Sequence, residues 1–196
     1  CAQSHPSENL DEIAWVRSLH PDCAQYWESY DKFGLWKSHT VMAHCIHSDE
    51  RERTAIREAG VVVAHCPDSN INLCSGIAPV REMLNEGIHV TLGTDIAAGS
   101  SLAGSRLVTM RIQASKVRSF TDPAHPAFLT VPEAYYLGTT SGHRYFGAGS
   151  GFTPGDRLHA VVVADRSFTE TPWALSLPER LAPALYTRNA ANITAV

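Results

Sequence analysis

Three amphipathic stretches in this chain each run into a glycine and are followed by a short apolar run. Residues 23–33 stop at Gly34 before 40–44, a stretch opening at Ser48 stops at Gly60 before 61–65, and 77–86 stop at Gly87 before 88–93. Glycine takes the left-handed backbone just past a helix end without steric cost, so this cadence predicts helix, turn and strand in repetition. Strands joined through helices run parallel. Runs such as Val61-Val62-Val63-Ala64 are apolar throughout, as strands covered on both faces must be. With the strand end at Cys1–Ser4, four parallel strands of an α/β fold are expected.

The elements between and beyond them are read from caps and periodicity. A helix over 8–19 presents Leu10, Ile13, Ala14 and Leu19 on one face, with Ser7 as its N-cap and Glu8, Asp11 and Glu12 in the first turn. After Asp95 a Gly/Ser loop leads to a helix at about 102–119. Thr130-Val131-Pro132-Glu133 is a capping box opening a helix that runs to Phe146. Residues 158–164 are expected as one strand of a separate small sheet, and 165–196 show only a terminal strand near Ile193. The division expected is 1–150 for a barrel segment and 151–196 for part of a small β domain.

Composition narrows the class of function. Lys and Arg total 16 in 196 residues and form no run, and the formal charge is −4, which excludes a nucleic-acid surface. No apolar stretch reaches the roughly 18 residues that span a bilayer, and residues 1–20 lack the order of a signal peptide. Five cysteines, odd in number and without a C-x-x-C pair, fit a reducing interior and are expected as small buried hydrophobes in a cytoplasmic protein.

The chemistry sits where the strands end. His5, His44, His65 and Asp95 each close or follow an apolar run. In an α/β barrel the catalytic groups come from those strand ends, so this series reads as part of a metal-assisted site. A complete barrel needs about 250 residues. Residues 1–150 are too few, so the chain is expected to be the C-terminal half of a longer protein, with Cys1 not its native start.

The motifs that carry a resemblance are Ser4-His5-Pro6-Ser7-Glu8-Asn9, Ala43-His44-Cys45, Ala64-His65-Cys66-Pro67-Asp68-Ser69-Asn70 and Leu92-Gly93-Thr94-Asp95. In that order they resemble the amidohydrolase superfamily, and within it the guanine deaminase branch. The resemblance implies a distorted (β/α)8 barrel with a flanking β domain, one zinc ion (iron being the other metal considered), and hydrolytic loss of ammonia from guanine in purine catabolism. It implies that His5 and Asp95 are metal ligands, and that a further H-x-H pair belongs on a strand upstream. No such pair occurs here, because His44 and His47 are separated by two residues. Glu8 would move protons, His44 would orient the hydroxide or stabilise charge, and Asp95 would accept a proton from water. His5, Glu8, His44 and Asp95 would together line the substrate. A small purine is the implied partner, and a homodimer the implied assembly. The sister reactions, on adenosine-like, cytosine or triazine rings, share the metal and proton-transfer residues. An inactive truncated relative is the other alternative.

Each residue also has a plainer reading: His5 and Asp95 as helix caps, Glu8 as a dipole complement. For His65 the structural reading is preferred, with Ser69 and Asn70 holding the loop around Pro67. The remaining histidines are expected at the surface or in loops, and Trp15, Trp27 and Trp36 as packing anchors. A structural zinc held by Cys45, His47, Cys66 and Cys74 fits no knuckle spacing.

Overall fold

The structure is a computed structural model and describes residues 1–148, 152–164, 175–187 and 192–195. Its centre is a four-stranded parallel sheet in the order β1 (Ala2–Ser4), β2 (Thr40–Ala43), β3 (Val62–His65), β4 (Val90–Leu92). The register pairs Gln3 with Val41, Met42 with Val63, and His65 with Leu92. All four strands therefore end at one level, and residues separated by whole helices in sequence meet there.

The helices α1 (Leu10–Leu19), α2 (Glu28–Asp31), α3 (Glu50–Ala59), α4 (Pro67–Asn72) and α5 (Val80–Asn85) connect these strands. Gly60 at φ +69° ends α3, and Gly87 at φ +79° follows α5, as the helix, glycine, strand cadence requires. The core lies between sheet and helices and is built from Met42, Ile56, Val61, Val63, Val80, Met83 and Val90, all nearly inaccessible to water. At about 25 cal/mol per Å² of apolar surface this burial is the main favourable term in the fold.

Several expected elements are corrected. The N-cap of α1 is Asn9, whose side chain accepts from the Glu12 amide while Glu12 returns the capping-box bond. Ser7 instead sits at φ 51° and donates to Glu52. Asp49, not Ser48, caps α3. The loop expected around Pro67 is helix α4, with the proline in its first turn. The helix expected over 23–33 shrinks to α2, and Trp15 is exposed while Trp27 and Trp36 pack on the core. Cys45 and Cys66 are buried, but Cys1 and Cys74 are exposed, and all five are free.

Beyond β4, α6 (Gly104–Thr121) carries α7 (Val131–Leu137) and α8 (Thr140–Tyr145), which replace one expected helix. The break is at Gly138: a Cβ there would stand 2.8 Å from Val108 Cγ2, so the absent side chain lets α7 close on α6. β5 (Val162–Val163) pairs antiparallel with β6 (Ile193–Ala195). Its two valines are exposed. Helix α9 (Leu177–Thr187), unforeseen, packs against α6 and α7 with Pro183 inside it. Among the described residues no helix is long and apolar enough to cross a membrane.

Candidate active site

His5, His44 and Asp95 emerge just past the ends of β1, β2 and β4, and three of the turns there are strained. Ser7, His44, Cys45 and Asp95 adopt φ between 45° and 68°, a left-handed backbone that non-glycine residues avoid. Hydrogen bonds between the loops over-determine the conformation: the Cys45 amide donates to Pro6 O at 3.2 Å, the His47 amide to Ser7 O at 3.0 Å, and the His44 amide to Ala64 O at 3.0 Å. Each strand end is thus tied to the next one.

Four side chains converge. His44 Nε2 lies 3.5 Å from Glu8 Oε2 and 3.9 Å from Asp95 Oδ2. The His5 and His44 rings meet edge to face with centroids 6.0 Å apart. Glu8 accepts from Ser75 Oγ on its other oxygen at 3.0 Å, and Asp95 Oδ2 accepts from Ser69 Oγ at 2.6 Å. His44 is buried, with its Nδ1 2.8 Å from the Asn70 carboxamide, whereas His5 is open to solvent.

Glu12 explains how His5 is held. Its Oε1 accepts from Tyr26 Oη at 2.6 Å and faces His5 Nδ1 at 3.1 Å, while its Oε2 accepts the amides of Glu8 and Asn9. Burial works to raise the Glu12 pKa, but the hydrogen bonds from His5 and Tyr26 outweigh it and hold the carboxyl at about 2. The hydrogen bond to Glu12 in turn raises the His5 pKa.

His5, Glu8 and Glu12 each offer a ligand atom, all within 4.8 Å of one another. Glu12 has no acceptor site left for a cation, since four donors fill its two oxygens. It acts as an orienter: a carboxylate on Nδ1–H fixes the imidazole tautomer and leaves the Nε2 lone pair free, the usual arrangement behind a metal-bound histidine. That chemistry suits His5 as a metal ligand through Nε2.

Glu12, Ser75 and Arg111 were not foreseen. Glu12 was read only as a first-turn carboxylate of the helix after Ser7 and carried no sign of His5, while Ser75 reaches Glu8 across 67 residues of sequence with no periodic signal. Ser69 and Asn70 sit on α4 and do hold that segment, but they also bond Asp95 and His44 directly. His65 is fully buried, 3.4 Å from Asn70 Nδ2 and 2.8 Å from an Arg111 nitrogen.

The chain is similar to proteins of known activity. It is 39% identical over 142 residues to the guanine deaminase of Dictyostelium discoideum, covering 72% of this chain and 31% of that protein. To the Escherichia coli guanine deaminase it is 32% identical over 163 residues, covering 82% and 36%. The crystal structure of guanine deaminase from C. acetobutylicum with bound guanine superposes with a TM-score of 0.91 at 43% identity, covering 98% of this chain and 46% of that one. The chain thus spans about a third of the curated relatives it matches, and its parallel sheet is a segment of their barrel. With the amidohydrolase family pattern matching residues 2–195, the chain belongs to the amidohydrolase family.

Proposed function

We propose that this chain supplies the second half of the active site of a zinc-dependent guanine deaminase, which hydrolyses guanine to xanthine and ammonia in purine catabolism. The observation that carries the reading is the convergence of His44 on both Glu8 and Asp95 at the ends of parallel strands, beside His5. His5 and Asp95 would hold the metal, with the remaining ligands on the half of the barrel outside this chain. A bound zinc supplies hydroxide at neutral pH by lowering the pKa of its water to about 7.

The chain's own residues do the rest. Asp95, steadied by the Ser69 hydroxyl, accepts the proton that water gives up. Glu8, held between the Ser75 hydroxyl and His44, starts protonated and gives that proton to ring N3; it then takes up the second proton of the attacking water and passes it to the leaving amine, and the proton held on Asp95 restores Glu8 for the next turnover. His44 donates toward the charge that builds on the oxygen at C2. Residues 151–196 form, on this reading, part of a small β domain beside the barrel, and the five free cysteines support a cytoplasmic setting.

The test separates holding the metal from moving protons. In the full-length protein His5→Ala and Asp95→Ala should lose zinc. Glu8→Gln should keep zinc and bind guanine while turnover drops on the order of 10²–10⁴, the usual worth of a positioned acid or base. Metal content with ammonia release from guanine, adenine, cytosine and a triazine decides it. A faster rate on any of the last three would overturn the guanine assignment, and zinc loss in the Glu8 variant would overturn its role.

A further inference from the structure

We propose that Arg111 is a positioning residue: through His65 and Asn70 it fixes which nitrogen of His44 carries the proton, so that Nε2–H faces Glu8 and Asp95. The task assigned to His44 rests on the proposed function; the relay itself rests on hydrogen-bond polarity.

Arg111 lies on α6, completely buried, with one terminal nitrogen 2.8 Å from His65 Nε2. Its Nε and other terminal nitrogen have no hydrogen-bond partner among the described residues, so the contact with His65 is what its polar head makes in this part of the protein. A guanidinium only donates. Burial lowers the Arg111 pKa to about 10, which leaves it protonated at neutral pH. His65 Nε2 must therefore accept.

His65 is neutral, because burial and the neighbouring Arg111 charge push its pKa well below the usual value. A neutral imidazole that accepts at Nε2 carries its proton on Nδ1. That nitrogen faces the Asn70 carboxamide at 3.4 Å, and the other end of the amide faces His44 Nδ1 at 2.8 Å. A carboxamide has one donating and one accepting end, so it transmits polarity. Its oxygen must take the His65 proton, and its amino group must donate to His44 Nδ1.

The structure places Oδ1 beside His44 and Nδ2 beside His65. In that orientation two donors oppose each other at His65. Oxygen and amino group have nearly the same shape, so a half-turn of the amide exchanges them without disturbing the packing, and every donor then meets an acceptor. His44 Nδ1 becomes an acceptor and Nε2 carries the proton. The opposite tautomer would aim a lone pair at two carboxylates.

Nitrogen-15 spectra of the full-length zinc protein, labelled at histidine, read the tautomers directly. The expected pattern is Nδ1–H at His65 and Nε2–H at His44. Asn70→Asp is nearly isosteric but accepts at both ends. It should move the His44 proton to Nδ1 and lower kcat on the order of 10–100-fold, the usual cost of removing a supporting partner, with KM and zinc content little changed. Arg111→Met should blur the His65 pattern and reduce kcat, and Arg111→Lys, which restores a donor, should recover part of both. Nδ1–H at His44 in the unmodified protein, or an Asn70→Asp variant with unchanged kcat, overturns the relay. If Arg111→Met does not fold, those two measurements still decide. The spectra need no substrate, so a protein that fails on guanine yet shows Nε2–H at His44 supports the relay and sinks only the proposed function.

Discussion

Glu52 carries a carboxyl where the fold leaves it almost no water. It lies on α3, buried, and accepts from Ser48 Oγ at 2.6 Å and Ser7 Oγ at 3.0 Å. Burial raises its pKa, and the two serine hydrogen bonds only partly oppose that. For a group whose folded pKa is raised, the stabilising contribution is complete below the unfolded value, about 4.3 for Glu, and is lost as pH climbs through the folded value. Glu52→Gln keeps the shape and removes the charge. Thermal melts from about pH 4 to 7 should therefore show the variant gaining on the parent as pH rises; a gap that widens toward acid instead would mean that the serines, not burial, set the carboxyl's behaviour. The residue scale is also where the sequence says least. His5, Glu8, His44 and Asp95 were visible because each sits in a short motif at a strand end. Ser7 looked like a helix cap, yet its hydroxyl serves Glu52, 45 residues away. Arg111 gave no sign of reaching His65, 46 residues before it, because no periodicity links side chains that meet only after the helices pack.

Among the elements, the parallel strands were readable to within a residue or two, since an apolar run between a glycine and a polar terminus has few other uses. The region after β4 was not. Pro183 inside α9 breaks the pattern by which a helix is recognised, and an interior proline ordinarily costs about 3 kcal/mol. Packing of Leu185 on the small core of Val108, Ile112 and Ala134 helps offset that cost. Gly138 was read as part of one long helix because glycine at φ −83° carries no conformational signal; its importance is steric. Gly138→Ala would drive a methyl against Val108, a stiff β-branched residue in mid-helix, and should destabilise by about 1–3 kcal/mol, the usual range for overpacking. Val108→Ala should relieve it. In a denaturation cycle the double variant should therefore be more stable than the sum of the singles predicts, and strict additivity would show that the two groups do not meet.

At the scale of the whole molecule, the sheet is open at both sides among the described residues. β1 and β4 are its outer strands, and the face bearing Gln3, Val41, Ala64 and Thr91 borders a cleft of about 1180 Å³ whose other side is lined by residues of α7, α8 and 157–161. A barrel closes because every strand finds a partner on each side; a four-stranded arc leaves two rows of backbone groups without one. The proposed metal site has the same incompleteness, since His5 and Asp95 are two ligands where zinc ordinarily takes three or four from protein. Chain closure and metal binding should accordingly depend on the same missing half. Purified residues 1–196 should bind zinc weakly, release no ammonia from guanine, and self-associate through the open edges of β1 and β4. Adding a separately produced segment carrying the rest of the barrel and the remaining proposed ligands should restore one zinc per complex, a defined assembly and turnover together, because on the proposed reading the strands that cover the arc also deliver the ligands. Sedimentation, metal analysis and ammonia release on the two pieces, alone and mixed, check this. Turnover by residues 1–196 alone within the ordinary range of about 1–10³ per second would contradict both the shared dependence and the ligand assignment. Restored assembly without zinc would separate the two, leaving the sheet argument intact and His5 and Asp95 in need of another role.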